Sequence, residues 1–225
     1  MHNGKITAVI PTRKGSQRIP SKNTRKFHDT NLLQLKINVL KRVENIDEII
    51  INTDCDESIK IAQLNNIKIH RRDEFYASSD ITNDMHWKHI AETTNTDYVL
   101  MAQTTSPLVK VDTFVRAIRS FKSSTNDSLN SVSKEKKFLW LNGSPLNYNL
   151  DNTPKSQDLP NIVSLNFAIS LISKELMFSK SNIVGNNPKF IELDSIESLD
   201  IDEQIDFDYC EYIYKKYGFD WFLNK

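Results

Sequence analysis

Residues 6–23 read ITAVIPTRKGSQRIPSKN. The opening run, residues 6–10, is continuously apolar or β-branched and stops at Pro11, the pattern of a short buried strand. Residues 12–23 suit neither a helix nor a second strand. Arg13, Lys14, Arg18 and Lys22 place four cations in one short loop around Gly15, the residue that allows a tight turn and close approach of backbone to a ligand. Backbone N–H groups with this much positive charge suit a polyphosphate. The spacing is not that of a P-loop, and with a single glycine it is not a dinucleotide fingerprint. Two readings of the loop stand: a phosphate site or a solvated basic surface.

Working outward, strand and helix signals alternate. Residues 32–43 carry apolar side chains at helical spacing. Residues 48–52 (EIIIN) form a β-branched strand run, 57–64 suit a helix, and 67–69 a brief strand. A helix is expected over 81–93, a strand over 98–102, a helix over 111–121, a polar loop over 123–130, and a strand over 129–132. This alternation predicts an α/β fold with a mostly parallel, Rossmann-like sheet and helices on both faces, whose ligand lies at the carboxyl ends of the strands. The loops after Ile10 and Met101 should then form the site.

The alternation breaks near Lys134. Residues 138–148 (FLWLNGSPLNY) contain Asn142-Gly143 between apolar flanks, a hairpin signal. Residues 134–160 read as a small projecting arm on a single domain spanning 1–225. The arm's apolar residues exceed what a lone hairpin buries, which leaves a dimer contact or packing on the chain's own sheet. A strand over 162–172, another over 190–193 and a helix over 203–217 complete the chain.

The 225 residues carry 29 basic and 29 acidic side chains, so no net field favours nucleic acid. No apolar run reaches the roughly 18–20 residues that span a bilayer. Cys55 and Cys210 show neither a disulfide framework nor a zinc spacing, so a reducing, cytoplasmic setting is expected. His86 and His89 lie three apart on one expected helix, which reads as a partly buried face rather than a metal site.

Asp200 and Asp202 alternate across Ile201 in an acidic stretch. Such a pair can share one Mg²⁺, which takes oxygen ligands from one or two carboxylates plus phosphate and water. Equally, Asp202 can cap the next helix.

The first loop resembles the N-terminal signature of the acylneuraminate and KDO cytidylyltransferases, I-P-A-R-G-G-S-K-G-I-P-x-K-N, matched by Arg13, Gly15, Ser16, Ile19, Pro20, Lys22 and Asn23. Further stretches agree in order along the chain. IINTDCDE (50–57) is similar to V-S-T-D-S-E. Arg71-Arg72 followed by Ala77-Ser78-Ser79-Asp80 is similar to R-R-P-x-x-L-A-x-D, and LMAQTTSPL (100–108) to L-L-Q-P-T-S-P-L. QDLP (157–160) and SLDID (198–202) match the family's R-x-Q-D-L-P and I-D-I-D. The resemblance implies that Pro11, Thr12, Arg13, Gly15, Ser16, Arg18, Lys22, Asn23 and Arg72 bind CTP. It implies that Asp200 and Asp202 hold Mg²⁺, and that Gln103, Lys155 and Asn166 meet a small acidic acceptor. Arg13, Lys22 and Asp202 would carry the catalysis of CMP transfer, in a homodimer acting on neither nucleic acid nor membrane.

Departures fall on the acceptor side. The family's N-G-A-I-Y appears as Asn166-Phe167-Ala168-Ile169-Ser170, Lys155 stands for an Arg, and Val109 for another. A Lys supplies a point charge without the bidentate fork. Other readings therefore stay open. The acceptor could be KDO, legionaminic or pseudaminic acid, a phosphonate or a phosphorylated alcohol. The D-x-D pair could belong to a glycosyltransferase, or the chain could be a non-catalytic nucleotide-binding module.

Overall fold

The computed structural model describes residues 2–78 and 80–223; Ser79 of the Ala77–Asp80 motif lies outside them. In chain order the elements are β1 (Ile6–Pro11), α1 (Leu32–Leu40), β2 (Glu48–Thr53), α2 (Asp56–Leu64), β3 (Lys68–Arg71), α3 (Glu74–Ala77), α4 (Asn83–Thr93), β4 (Tyr98–Ala102) and α5 (Val111–Lys122). Then come β5 (Ser128–Glu135), β6 (Trp140–Leu141), β7 (Ser144–Pro145), β8 (Ile162–Ser173), α6 (Lys174–Lys180), β9 (Pro188–Glu192) and α7 (Gln204–Tyr217).

Seven strands form one sheet in the order β3-β2-β1-β4-β8-β5-β9. The chain moves outward from β1 through β2 to β3, then restarts on the other side of β1 with β4. That reversal opens a crevice at the carboxyl ends of β1 and β4, which run parallel with Ile6 opposite Tyr98 and Val9 opposite Met101. The sheet is mixed: β8 pairs antiparallel with both β4 and β5 because it returns from the arm, and β9 again runs parallel to β5.

Strand alternation sends side chains to two apolar layers. Ile6, Ala8, Ile10, Leu100 and Ala102 join the side covered by α1, α5 and α7, whereas Val9, Val99 and Met101 meet Trp87 and Ile90 of α4 and Met177 of α6. Helices thus cover both faces, as expected.

The polar loop expected over 123–130 ends earlier, because β5 begins at Ser128. Its buried Ser128, Asn130 and Ser131 look like loop residues, but here they have internal partners. Asn130 donates to the Ile183 carbonyl at 3.0 Å, and the Ser131 hydroxyl pairs with Asn166 at 2.5 Å. The arm carries the expected hairpin. Trp140 lies opposite Pro145, and Asn142 and Gly143 both take positive φ, 50° and 80°, the two-residue turn that matches strand twist.

Candidate functional site

One cavity of about 630 Å³ lies over the β1/β4 crevice. Its walls include Pro11, Thr12, Arg13, Ser16, Arg18, Lys22 and Asn23 from the first loop, Arg72 after β3, Gln103 after β4, and Asp200 and Asp202 before α7. Gly15 sits at the loop's turn with φ +78°, a conformation that L side chains rarely adopt, and does not itself line the cavity.

Hydrogen bonds tie three distant segments together at this point. The Thr104 hydroxyl donates to Asn23 Oδ1 at 2.8 Å, joining the loops after β4 and β1. Ile201 is fully buried; its N–H donates to the Thr105 carbonyl at 2.8 Å, and its carbonyl accepts from Lys22 Nζ at 2.7 Å. With Ile201 fixed, the two flanking aspartates both stand in the cavity wall. Asp200 accepts from the Ser106 hydroxyl at 3.3 Å, and Asp202 from Arg18 at 2.5 Å.

Neither aspartate caps the helix. Glu203 is the N-cap of α7, in a reciprocal capping box with Asp206, whose carboxylate also accepts from the Asp202 N–H at 3.0 Å. Both aspartate side chains are therefore available to the cavity. Desolvation raises the Asp200 carboxyl above its ordinary range, and the neighbouring Asp202 charge pushes the same way. Desolvation also lowers the Lys22 ammonium, against the pull of Asp200 and Asp202. Among the described residues no cluster of three His, Cys, Asp or Glu side chains forms an all-protein metal cage. Two carboxylates in the wall of a cavity that also holds the loop cations suit a Mg²⁺ completed by phosphate oxygens and water.

Arg72 is nearly buried, and one of its terminal nitrogens, Nη2, is held by backbone. It donates to the Thr12 carbonyl at 2.6 Å and the Asn52 carbonyl at 2.9 Å, tying the start of the first loop to the end of β2. Burial lowers it to about 10. Its Nη1 lies 3.4 Å from His86 Nδ1, and its buried Nε has no partner among the described residues. Burial, with Arg72 alongside, pushes His86 down to about 3, so it enters the cavity wall as a neutral ring. His89 stacks on Tyr76 at 3.8 Å.

The remaining acceptor residues divide. Gln103 lines the cavity. Asn166 instead spans Ser131 and Ser133 of β5, and Lys155 is exposed on the arm, so neither contributes to the wall. Between them in role is Phe167, which does line it. The β5–β8 register shifts between Asn130 and Val132, and at this bulge Phe167 takes φ 56°. A bulge re-aims a side chain; this one turns Phe167 to within 6.4 Å of the Trp87 ring. Trp87, Thr104 and Thr105 also enter the wall without having been singled out in sequence.

A cytidylyltransferase family model matches residues 7–220. The chain is 30% identical over 216 residues to the CMP-N,N'-diacetyllegionaminic acid synthase of Legionella pneumophila, covering 90% of this chain and 93% of that one. It is 21% identical over 224 residues to the post-translational flagellin modification protein B of Campylobacter coli, covering 94% and 95%. Among solved structures, a CMP:2-keto-3-deoxy-manno-octonic acid synthetase complexed with CTP superposes with a TM-score of 0.72 at 11% identity, covering 94% and 99%, a likeness of fold.

Proposed function

We propose that this chain, which belongs to the cytidylyltransferase family, transfers CMP from CTP to a small acidic sugar and releases pyrophosphate. The observation that carries this reading is the single cavity that joins a cationic loop to a pair of carboxylates across the β1/β4 crevice. The name of the Legionella relative supports an acidic nonulosonic sugar as acceptor.

In this reading an acceptor hydroxyl attacks the α-phosphorus of CTP in line. A new P–O bond forms as the bond to pyrophosphate breaks, so positioning and charge neutralisation dominate. Arg13, Arg18 and Lys22 hold the phosphates. Lys22 is pre-oriented by the Ile201 carbonyl, while Arg18 is paired with Asp202, so a nucleotide and a cation would compete for both partners. Asp200 and Asp202 would hold Mg²⁺, which when bound supplies Lewis-acid neutralisation of phosphate charge. Arg72 shapes the loop through Thr12 and also lines the cavity.

Pyrophosphate release with each of the four nucleoside triphosphates and a panel of keto-acid sugars and phosphonates tests the function. Release is expected with CTP alone. Consumption of a nucleotide sugar without pyrophosphate would favour a D-x-D glycosyltransferase, and no turnover with any acceptor would leave a binding module. Within the panel, N-acetylneuraminic acid is expected to be a poor acceptor because Phe167 narrows the wall. Phe167→Gly should raise its kcat/KM by about tenfold or more. Stability should change little, since relief of the left-handed backbone, about 1 kcal/mol, offsets the lost contact with Trp87. If N-acetylneuraminic acid is already the best acceptor, Phe167 does not set the choice.

The arm supports a homodimer. Trp140, Leu141, Leu146 and Leu150 are each more than half exposed, and Val163 and Leu165 on β8, the strand that follows the arm, are over a third exposed. Trp140→Lys is expected to shift a micromolar sample toward monomer in sedimentation velocity; a wild type that is already monomeric ends the idea. No helix among the described residues is long and apolar enough to cross a membrane.

A further inference from the structure

Lys36 lies where a charged side chain has no ordinary reason to be. It sits on α1 between Leu35 and Ile37, both fully buried, and is itself 1% exposed. Its Nζ is 5.3 Å from the centre of the Phe114 ring. An apolar side chain of similar length would fill the space without the cost of burying an amine, so what Lys36 binds should explain it. Its Nζ donates to the Ser106 carbonyl at 2.8 Å. That bond leaves the helix layer and ends on the loop after β4.

This loop connects the parts of the cavity. Thr104 holds Asn23 of the first loop, the Thr105 carbonyl receives the Ile201 N–H, and the Ser106 hydroxyl donates to Asp200. Its far end is fixed separately. The buried Glu197 carboxylate accepts from the Lys110 N–H and the Thr113 hydroxyl, both at 2.7 Å, and the Leu108 carbonyl accepts from the Trp221 indole at 2.9 Å. Lys36 therefore supports, from beneath, the residue whose hydroxyl meets Asp200. An amine donates a hydrogen bond in either protonation state, so the support does not depend on its charge.

We propose that Lys36 is a positioning residue for the transfer reaction: by holding the Ser106 carbonyl from the core, it presents the Ser106 hydroxyl to Asp200 and fixes that carboxylate in the cavity wall. The proposal rests on the reading of Asp200 as a Mg²⁺-holding residue. Ser106 stands one shell behind Asp200, where removing a partner typically changes metal affinity or activity by about 10–100-fold, and Lys36 acts through it.

The test uses the full chain with Lys36→Met, Ser106→Ala and the double variant. Three quantities are read: Mn²⁺ affinity in the presence of CTP, by electron paramagnetic resonance; CTP affinity in EDTA; and kcat. Lys36→Met and Ser106→Ala should each weaken Mn²⁺ and lower kcat by about 10-fold or more, with metal-free CTP affinity and far-ultraviolet circular dichroism unchanged. A residue with only a packing role would instead lower all of these together. Because both side chains act on one carboxylate, the double variant should be no worse than the worse single one. Wild-type Mn²⁺ affinity in either single variant, or losses that multiply in the double, overturns the proposal. If Lys36→Met fails to fold, Ser106→Ala decides: unchanged Mn²⁺ affinity refutes it. A wild type that binds no Mn²⁺ overturns the underlying metal reading and this proposal with it, whereas binding that the variants leave intact overturns this proposal alone.

Discussion

Asp200→Asn and Asp202→Asn should each lower CTP-dependent pyrophosphate release by roughly 100-fold or more while the protein remains folded. Each change removes one carboxylate charge at constant side-chain volume. Asparagine at 200 can still accept from the Ser106 hydroxyl through its Oδ1, and the loop contacts run through the backbone of Ile201, which neither substitution touches. The Asp202–Arg18 ion pair is exposed on both sides, so losing it should cost under about 1 kcal/mol. Helix α7 keeps its cap because Glu203 and Asp206 provide it. Loss of turnover is thus separable from loss of fold, and kinetics alongside thermal melts will show both. Near-normal kcat in either variant would place the cation elsewhere.

The parts of this fold that were legible are those where burial and local pattern agree. Residues 49–51 and 98–102 are continuous β-branched or apolar runs, as strands covered on both faces must be, and β2 and β4 occur there. The hairpin was legible because Asn-Gly suits a turn with two positive φ values. Strand β5 was only partly legible: Ser128, Asn130 and Ser131 are polar yet buried, with partners about 35 to 55 residues away in β8 and before β9, and no local window contains those partners. The 3.6-residue pattern over 32–43 identified α1 but gave Lys36 no role. A lysine inside an apolar stripe was the available signal; the Ser106 carbonyl that explains it comes from another layer.

The site divides in the same way. Loop cations and the D-x-D pair could be read directly, since charge density and spacing are local properties. Arg72 could be found by resemblance, but its work on the Thr12 and Asn52 carbonyls depends on the parallel pairing of β2 with β3 and β1. Asn166 and Phe167 were read together as acceptor-side residues, and only the tertiary structure separates them. Adjacent in sequence, they are sent to different surroundings by a single bulge: Asn166 to the serines of β5, Phe167 to the cavity.

Lys36 also predicts a pH dependence of stability. Burial lowers it from 10.5 to about 7, while Glu197 and Asp200 pull in the opposite direction. The groups around it are the Ser106 carbonyl, the Phe114 ring and those two carboxylates. Between pH 7 and 10.5 the unfolded chain holds a proton on this lysine that the folded chain has largely released. The unfolded state then binds more protons, so stability rises with pH across that window and levels off above it. For a fully buried group the span reaches on the order of 4 kcal/mol. Other groups titrate in the same range, so the informative quantity is the difference from Lys36→Met, measured by urea denaturation in EDTA at about pH 7, 8, 9 and 10. The wild type should gain stability relative to the variant at each step. Parallel curves would mean that Lys36 keeps its proton throughout, held by Glu197 and Asp200 more strongly than burial opposes it.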